Sequence, residues 1–156
     1  MEKGTLYGVS IGPGDPELIT VKAMKVIERS KYVATPETGT SDSLALSIVS
    51  NAVDLSAKEI MGLSFPMTKD AEVLARSHKE AADSIAEVLD SGNDVAMLNL
   101  GDITVYSTFA YVMNILLERD YDVELIPGVT SFCASASELK ISLTTMNDPL
   151  HIIPAT

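Results

Sequence analysis

Three short stretches bring glycines, acids and hydroxyls together at spacings that suit a small-molecule site: GPGDP at 12–16, GDITVYSTF at 101–109 and PGVTSF at 127–132. A glycine-rich turn opening a helix is a common phosphate cradle, because free backbone N–H groups at a helix N-terminus attract an anion. The dinucleotide fingerprint needs a third glycine, yet Gly12 and Gly14 are followed by Glu17. Pro16 has no N–H, Asp15 and Glu17 repel an anion, and there is no Walker lysine. Phosphate is therefore a poor ligand for this turn. An acid suits hydroxyls or positive charge instead. Asp102 can accept hydrogen bonds from a ribose diol or an amine, and Gly101 and Gly128 let backbone approach a flat ring closely. Together these features describe a nucleoside with no phosphate and with a positive centre.

Each of these residues also has a plainer reading. Asp15 can be a helix cap and Asp102 a turn residue. Tyr106, Phe109 and Tyr111 are expected first as packing, since large aromatics usually serve the core. Cys133, among small residues, suits close helix packing, and His78 falls mid-helix in a position expected to be solvated.

The stretches depend on elements that hold them at one edge. LYGVSI (6–11), YVAT (32–35), EIMGLSF (59–65), DVAMLNL (94–100) and VELIP (123–127) have strand composition. Helical spacing lies between them. Asp15 as N-cap and Pro16 at the first helical position predict a helix to about residue 28. A polar loop, ETGTSDS, precedes a helix carrying Leu44, Ile48 and Val49. The longest helix is expected over 69–91, with Leu74, Ala81, Ala82, Ile85 and Leu89 on one face and Gly92 as its stop. Further helices are expected over 107–119 and from TSFCASASEL, and HIIPAT (151–156) looks like another strand. Strict alternation predicts a mostly parallel, doubly wound α/β sheet of about five strands with helices on both faces. In such a sheet ligands bind outside the carboxyl ends of the strands, where the three stretches fall.

Bulk composition narrows the classes. The 156 residues suffice for one well-buried core. Eleven Lys and Arg against 22 Asp and Glu give a net charge of −11, so nucleic acid is a poor partner. One cysteine suits a reducing cytoplasm. No stretch nears the roughly 18 apolar residues of a membrane span, and no metal-ligand motif is present. There is no repeat and no low-complexity segment.

With the motifs in view, the sequence resembles the tetrapyrrole methylase family, which uses S-adenosylmethionine. GVSIGPGDPELITVKAMKVI, LNLGDITVYSTFAY and IPGVTSFCASAS carry the resemblance, which covers the whole chain. FPMTKD (65–70), with YSTFAY and HIIPAT, resembles the branch that methylates C20 of precorrin-2 or cobalt-factor II in corrin biosynthesis. The resemblance implies two α/β domains with a site between them, a homodimer, and a small-molecule tetrapyrrole substrate. It casts residues 1–148 as the N-terminal domain and 149–156 as the start of a second one, in a fragment expected to be inactive alone. A sibling tetrapyrrole or diphthine-type methyltransferase, or a nucleoside-binding module without chemistry, stays open beside it.

Position by position, the resemblance assigns cofactor contacts to Pro13, Leu100, Gly101, Asp102, Val105, Thr130 and Ser131. It assigns substrate contacts to Gly14, Asp15, Tyr106 and Ser107. No catalytic dyad is present, and Tyr106 is the one weak candidate for orienting the macrocycle or its leaving proton. Ile103 stands where many relatives have proline, and Leu100 where glycine or glutamate is frequent. A polycarboxylate substrate opposes the acidic surface, so Lys22 and Lys69 are the candidate cations.

Overall fold

Val95–Asn99, flanked by apolar surface on both sides, forms the middle strand of a five-stranded sheet in a computed structural model describing residues 2–37 and 43–154. The strands are β1 (Leu6–Ser10), β2 (Tyr32–Glu37), β3 (Glu59–Ser64), β4 (Val95–Asn99) and β5 (Val123–Ile126). All pairs are parallel, in the order β3-β2-β4-β1-β5. The helices are α1 (Val21–Arg29), α2 (Leu44–Val49), α3 (Ala71–Asp90), α4 (Phe109–Leu117) and α5 (Ser131–Glu138). One core packs Leu6, Val95 and Met97 against Ile85 and Leu89 of α3 and Phe109 and Val112 of α4. The other packs Val9, Ala96 and Leu98 against Val26 and Ile27 of α1 and Ile48 of α2. The fold is α/β, with helices on both faces.

The strand order decides where a ligand can sit. The chain runs from β1 outward through β2 to β3, then returns to insert β4 between β1 and β2 before adding β5 beyond β1. Strands β4, β1 and β5 are thus consecutive neighbours, and their parallel sense brings the three glycine-bearing loops to one rim.

Three expectations need correction. Asp15 does not cap a helix running to residue 28. It accepts a hydrogen bond from Glu17 N at 2.8 Å and caps a single 3₁₀ turn, Pro16–Leu18. Ile19 then turns extended (φ −74°, ψ 128°) and buries its side chain, and Thr20 caps α1 by accepting from Ala23 N. With two N-cap residues five apart, burying Ile19 favours the second. Residues 151–154 are not a strand: they find no strand partner among the described residues and are exposed. Pro154, with no N–H to give a ladder, works against pairing there. Residues 155 and 156 of that run, and 38–42 of the polar loop, lie outside the described residues.

His78, expected in water, is buried. Its ring stacks on Tyr111 with centroids 4.5 Å apart and planes 3° from parallel, and Phe65 lies 6.0 Å away. It joins α3 to α4. Burial pulls its pKa below the ordinary 6.5, because the charged form is poorly solvated there. A depressed histidine supports the fold fully above about pH 6.5 and loses that support as pH falls through its folded value. The melting temperature of the wild type relative to His78→Phe should therefore drop on the order of 2 °C between pH 7 and 5. A difference that stays flat across that range would remove His78 as the cause.

Candidate functional site

Gly12 and Gly101 tie the first and second loops together. Gly101 N donates to Gly12 O at 2.8 Å and Gly12 N to Gly101 O at 3.3 Å. Both glycines are left-handed, with φ 75° and 69°, a region glycine occupies without steric cost. Ser10, fully buried at the end of β1, accepts from Ile103 N at 2.8 Å. Asp102 reaches the third loop: one carboxylate oxygen accepts from Thr104 N at 2.9 Å and from the Thr104 hydroxyl, while the other accepts from Gly128 N at 2.8 Å. Gly128 itself fits because a Cβ there would lie 2.5 Å from Ser10 Cβ.

Asp102 is thus a brace between loops, and both its oxygens already serve the backbone or Thr104. Burial raises its pKa, but the hydrogen bonds from Thr104 and Gly128 outweigh this and hold the carboxyl below the ordinary 3.8. It is charged at neutral pH.

The braced loops surround a cavity of about 430 Å³, within the ordinary range for small-ligand sites. Pro13, Leu100, Gly101, Asp102, Val105, Thr130 and Ser131 all line it, together with Tyr106, Phe132 and Ile152–Pro154. All seven expected cofactor positions therefore meet at one place. The expected substrate positions divide. Asp15 lines a neighbouring cavity with Pro13 and Ser131, Ser107 lines others beyond Tyr106, and Gly14 is exposed with open space around it.

Phe109 is core, as expected, whereas Tyr106 and Tyr111 are 65% and 58% exposed. Cys133 is exposed on α5. Lys22 pairs with Glu124 at 2.6 Å on the surface, and neither Lys22 nor Lys69 lines the cavity. The lining contains one carboxylate and no basic side chain, so an isolated phosphate would find no counter-charge and a cation would. Among the described residues there is no group of three His, Cys, Asp or Glu able to hold a metal, and no helix is long and apolar enough to cross a membrane.

Residues 5–156 match the model of the tetrapyrrole (corrin/porphyrin) methylases. The chain belongs to the tetrapyrrole methylase family. It is similar to the probable cobalt-precorrin-2 C(20)-methyltransferase of Methanocaldococcus jannaschii, 38% identical over 96% of this chain and 63% of that protein. It is also similar to the cobalt-precorrin-2 C(20)-methyltransferase of Salmonella typhimurium, 32% identical over 98% of this chain and 64% of that one. The chain thus spans somewhat less than two thirds of these curated relatives. Among solved structures, the uroporphyrin-III C-methyl transferase of Thermus thermophilus, complexed with S-adenyl homocysteine, superposes with a TM-score of 0.64 at 26% identity, covering 92% of this chain and 51% of that one.

Sequence reasoning about this tetrapyrrole methylase did not find Phe132 or Ile152–Pro154 as cavity residues. Phe132 stands inside the PGVTSF stretch, so its neighbours carried the signal. Ile152–Pro154 gave only an apolar run, which composition cannot separate from a strand.

Proposed function

We propose that this chain holds S-adenosylmethionine in the cavity among its three loops, within a methyltransferase acting on C20 of precorrin-2 or cobalt-factor II. The observation that carries the reading is the convergence of Pro13, Leu100–Asp102, Val105 and Thr130–Ser131 on one cavity with no basic side chain. The names of the relatives support the substrate, and the ligand of the Thermus thermophilus structure supports the cofactor class.

When bound, S-adenosylmethionine supplies an electrophilic methyl group that a nucleophilic meso carbon takes with loss of a proton. This chain's residues contribute alignment and exclusion of water. Leu100, Val105 and Phe132 give the cavity apolar walls, and the close Gly12–Gly101 pair leaves room beside them for a flat ring. Asp102 holds the walls in register and adds negative charge that favours a sulfonium. A homodimer belongs to the same reading.

The test uses a full-length protein containing these residues, since a fragment lacking part of the site is expected to be inactive. Calorimetry should show S-adenosylmethionine and S-adenosylhomocysteine binding and ATP not binding. Incubation with precorrin-2 and with cobalt-factor II should then yield a product carrying one added methyl at C20. Binding without turnover would favour a nucleoside-binding module, a methyl on another carbon a sibling activity, and ATP binding with equal affinity would overturn the cofactor reading.

A further inference from the structure

We infer that Tyr106 is a positioning residue whose phenol latches residues 152–154 over the cofactor cavity. The inference rests on the cofactor reading above and adds to it the device that closes one wall.

Tyr106 stands out twice. It is a large aromatic 65% exposed to solvent, and its backbone is left-handed at φ 49°, a region that residues other than glycine, asparagine and aspartate seldom occupy. Neither feature profits a core. Its hydroxyl donates to Ile152 O at 3.0 Å across 46 positions of sequence. Residues 142–154 contain no helix or strand. Their other hydrogen bonds, Ser142 to Thr144 and Thr144 and Thr145 to Thr145 and Asp148, are internal to the segment. Among the described residues, the phenol is therefore the one hydrogen bond tying 142–154 to the body of the molecule.

What it ties down matters for the ligand. Ile152, Ile153 and Pro154 form one wall of the same 430 Å³ cavity that Pro13, Gly101 and Thr130 line. Ile153 is 81% exposed within the described residues. Tyr106 also borders two further cavities on its other side. Its ring thus separates the cofactor cavity from its neighbours while its hydroxyl secures the strap. A phenylalanine would keep the partition and lose the latch.

Two measurements on the full-length protein test this, comparing wild type, Tyr106→Phe and Tyr106→Gly. The first is thermolysin cleavage at His151–Ile152 without ligand, followed by mass spectrometry. Both variants should be cut about fivefold faster than wild type, the effect of removing one partly exposed hydrogen bond. The second is S-adenosylhomocysteine affinity, expected to weaken about fivefold in Tyr106→Phe and further in Tyr106→Gly, which also loses the partition, with the loss in turnover of Tyr106→Phe falling on KM for S-adenosylmethionine rather than on kcat. Tyr106→Gly accepts the left-handed backbone without strain, so it should melt no lower than wild type, which separates the latch from general stability. Wild-type cleavage and affinity in Tyr106→Phe would overturn the latch, as would a loss confined to kcat, which would make the phenol catalytic. If wild type ignores S-adenosylhomocysteine, the cofactor reading falls, and the cleavage rates alone decide whether Tyr106 holds the strap.

Discussion

Asp102→Asn is expected to weaken S-adenosylhomocysteine binding at least tenfold and to lower the melting temperature by about 2–6 °C. The reason lies in which groups face the carboxylate. Thr104 N and Gly128 N both donate to it, from opposite sides. An asparagine of the same shape offers one oxygen and one NH₂, so in either orientation one backbone N–H meets another donor. The Thr104 hydroxyl can rotate to accept; an amide N–H cannot. Leaving one such group unpaired costs about 1–3 kcal/mol, and the loops carrying Gly101 and Thr130 lose their tie. The pH dependence has a definite sign. Hydrogen bonds hold the Asp102 carboxyl below its ordinary 3.8, so its contribution is complete above about pH 4 and is lost as pH falls through the folded value. The gap between wild type and Asp102→Asn should be constant from pH 5 to 8 and shrink below pH 4. Calorimetry and thermal melts across that range check both points. Equal affinity in the two proteins would show that the brace does not shape the cavity.

The contrast between Asp102 and its neighbours shows what could be read in the sequence. Strand–helix alternation was legible because each strand is a short apolar run and each helix repeats its apolar face, as in Val95–Asn99 and Ala71–Asp90. The seven cofactor positions were legible because glycine, proline and hydroxyl residues crowd the ends of three strands. Their meeting depends on β4 inserting beside β1, which is a matter of pairing partners rather than local composition. The role of Asp102 was half visible: the acid in a turn was plain, but its engagement by Gly128 spans 26 positions and leaves no local pattern. His78 was hidden for a similar reason, since the ring that buries it, Tyr111, belongs to another helix. The hydrogen bond between Tyr106 and Ile152 spans 46 positions and likewise leaves no local pattern.

Gly8 sits in the middle of β1 between β4 and β5, where glycine weakens a strand relative to alanine. A packing reason is therefore needed, and Phe109 and Ile103 supply it. A Cβ on Gly8 would lie 2.5 Å from both Phe109 Cζ and Ile103 Cδ1, and those side chains are 1% and 2% exposed. Gly8→Ala should destabilise the protein by about 1–3 kcal/mol through overpacking, and Phe109→Ala by about 3–5 kcal/mol through the cavity it leaves. Combining Gly8→Ala with Phe109→Leu, which shortens the opposing side chain, should cost less than the sum of the single changes by about 0.5–3 kcal/mol. The same collision reaches the site. Ile103 follows Asp102 directly, and its N–H is held by Ser10 Oγ, so displacing Ile103 moves the aspartate that braces Gly128. Gly8→Ala should accordingly weaken S-adenosylhomocysteine binding although Gly8 does not line the cavity, and the added Phe109→Leu should restore part of it. Urea unfolding and calorimetry on wild type, Gly8→Ala, Phe109→Leu and their combination would decide the matter: strictly additive stabilities would mean that the Gly8–Phe109 contact is not what excludes a side chain there.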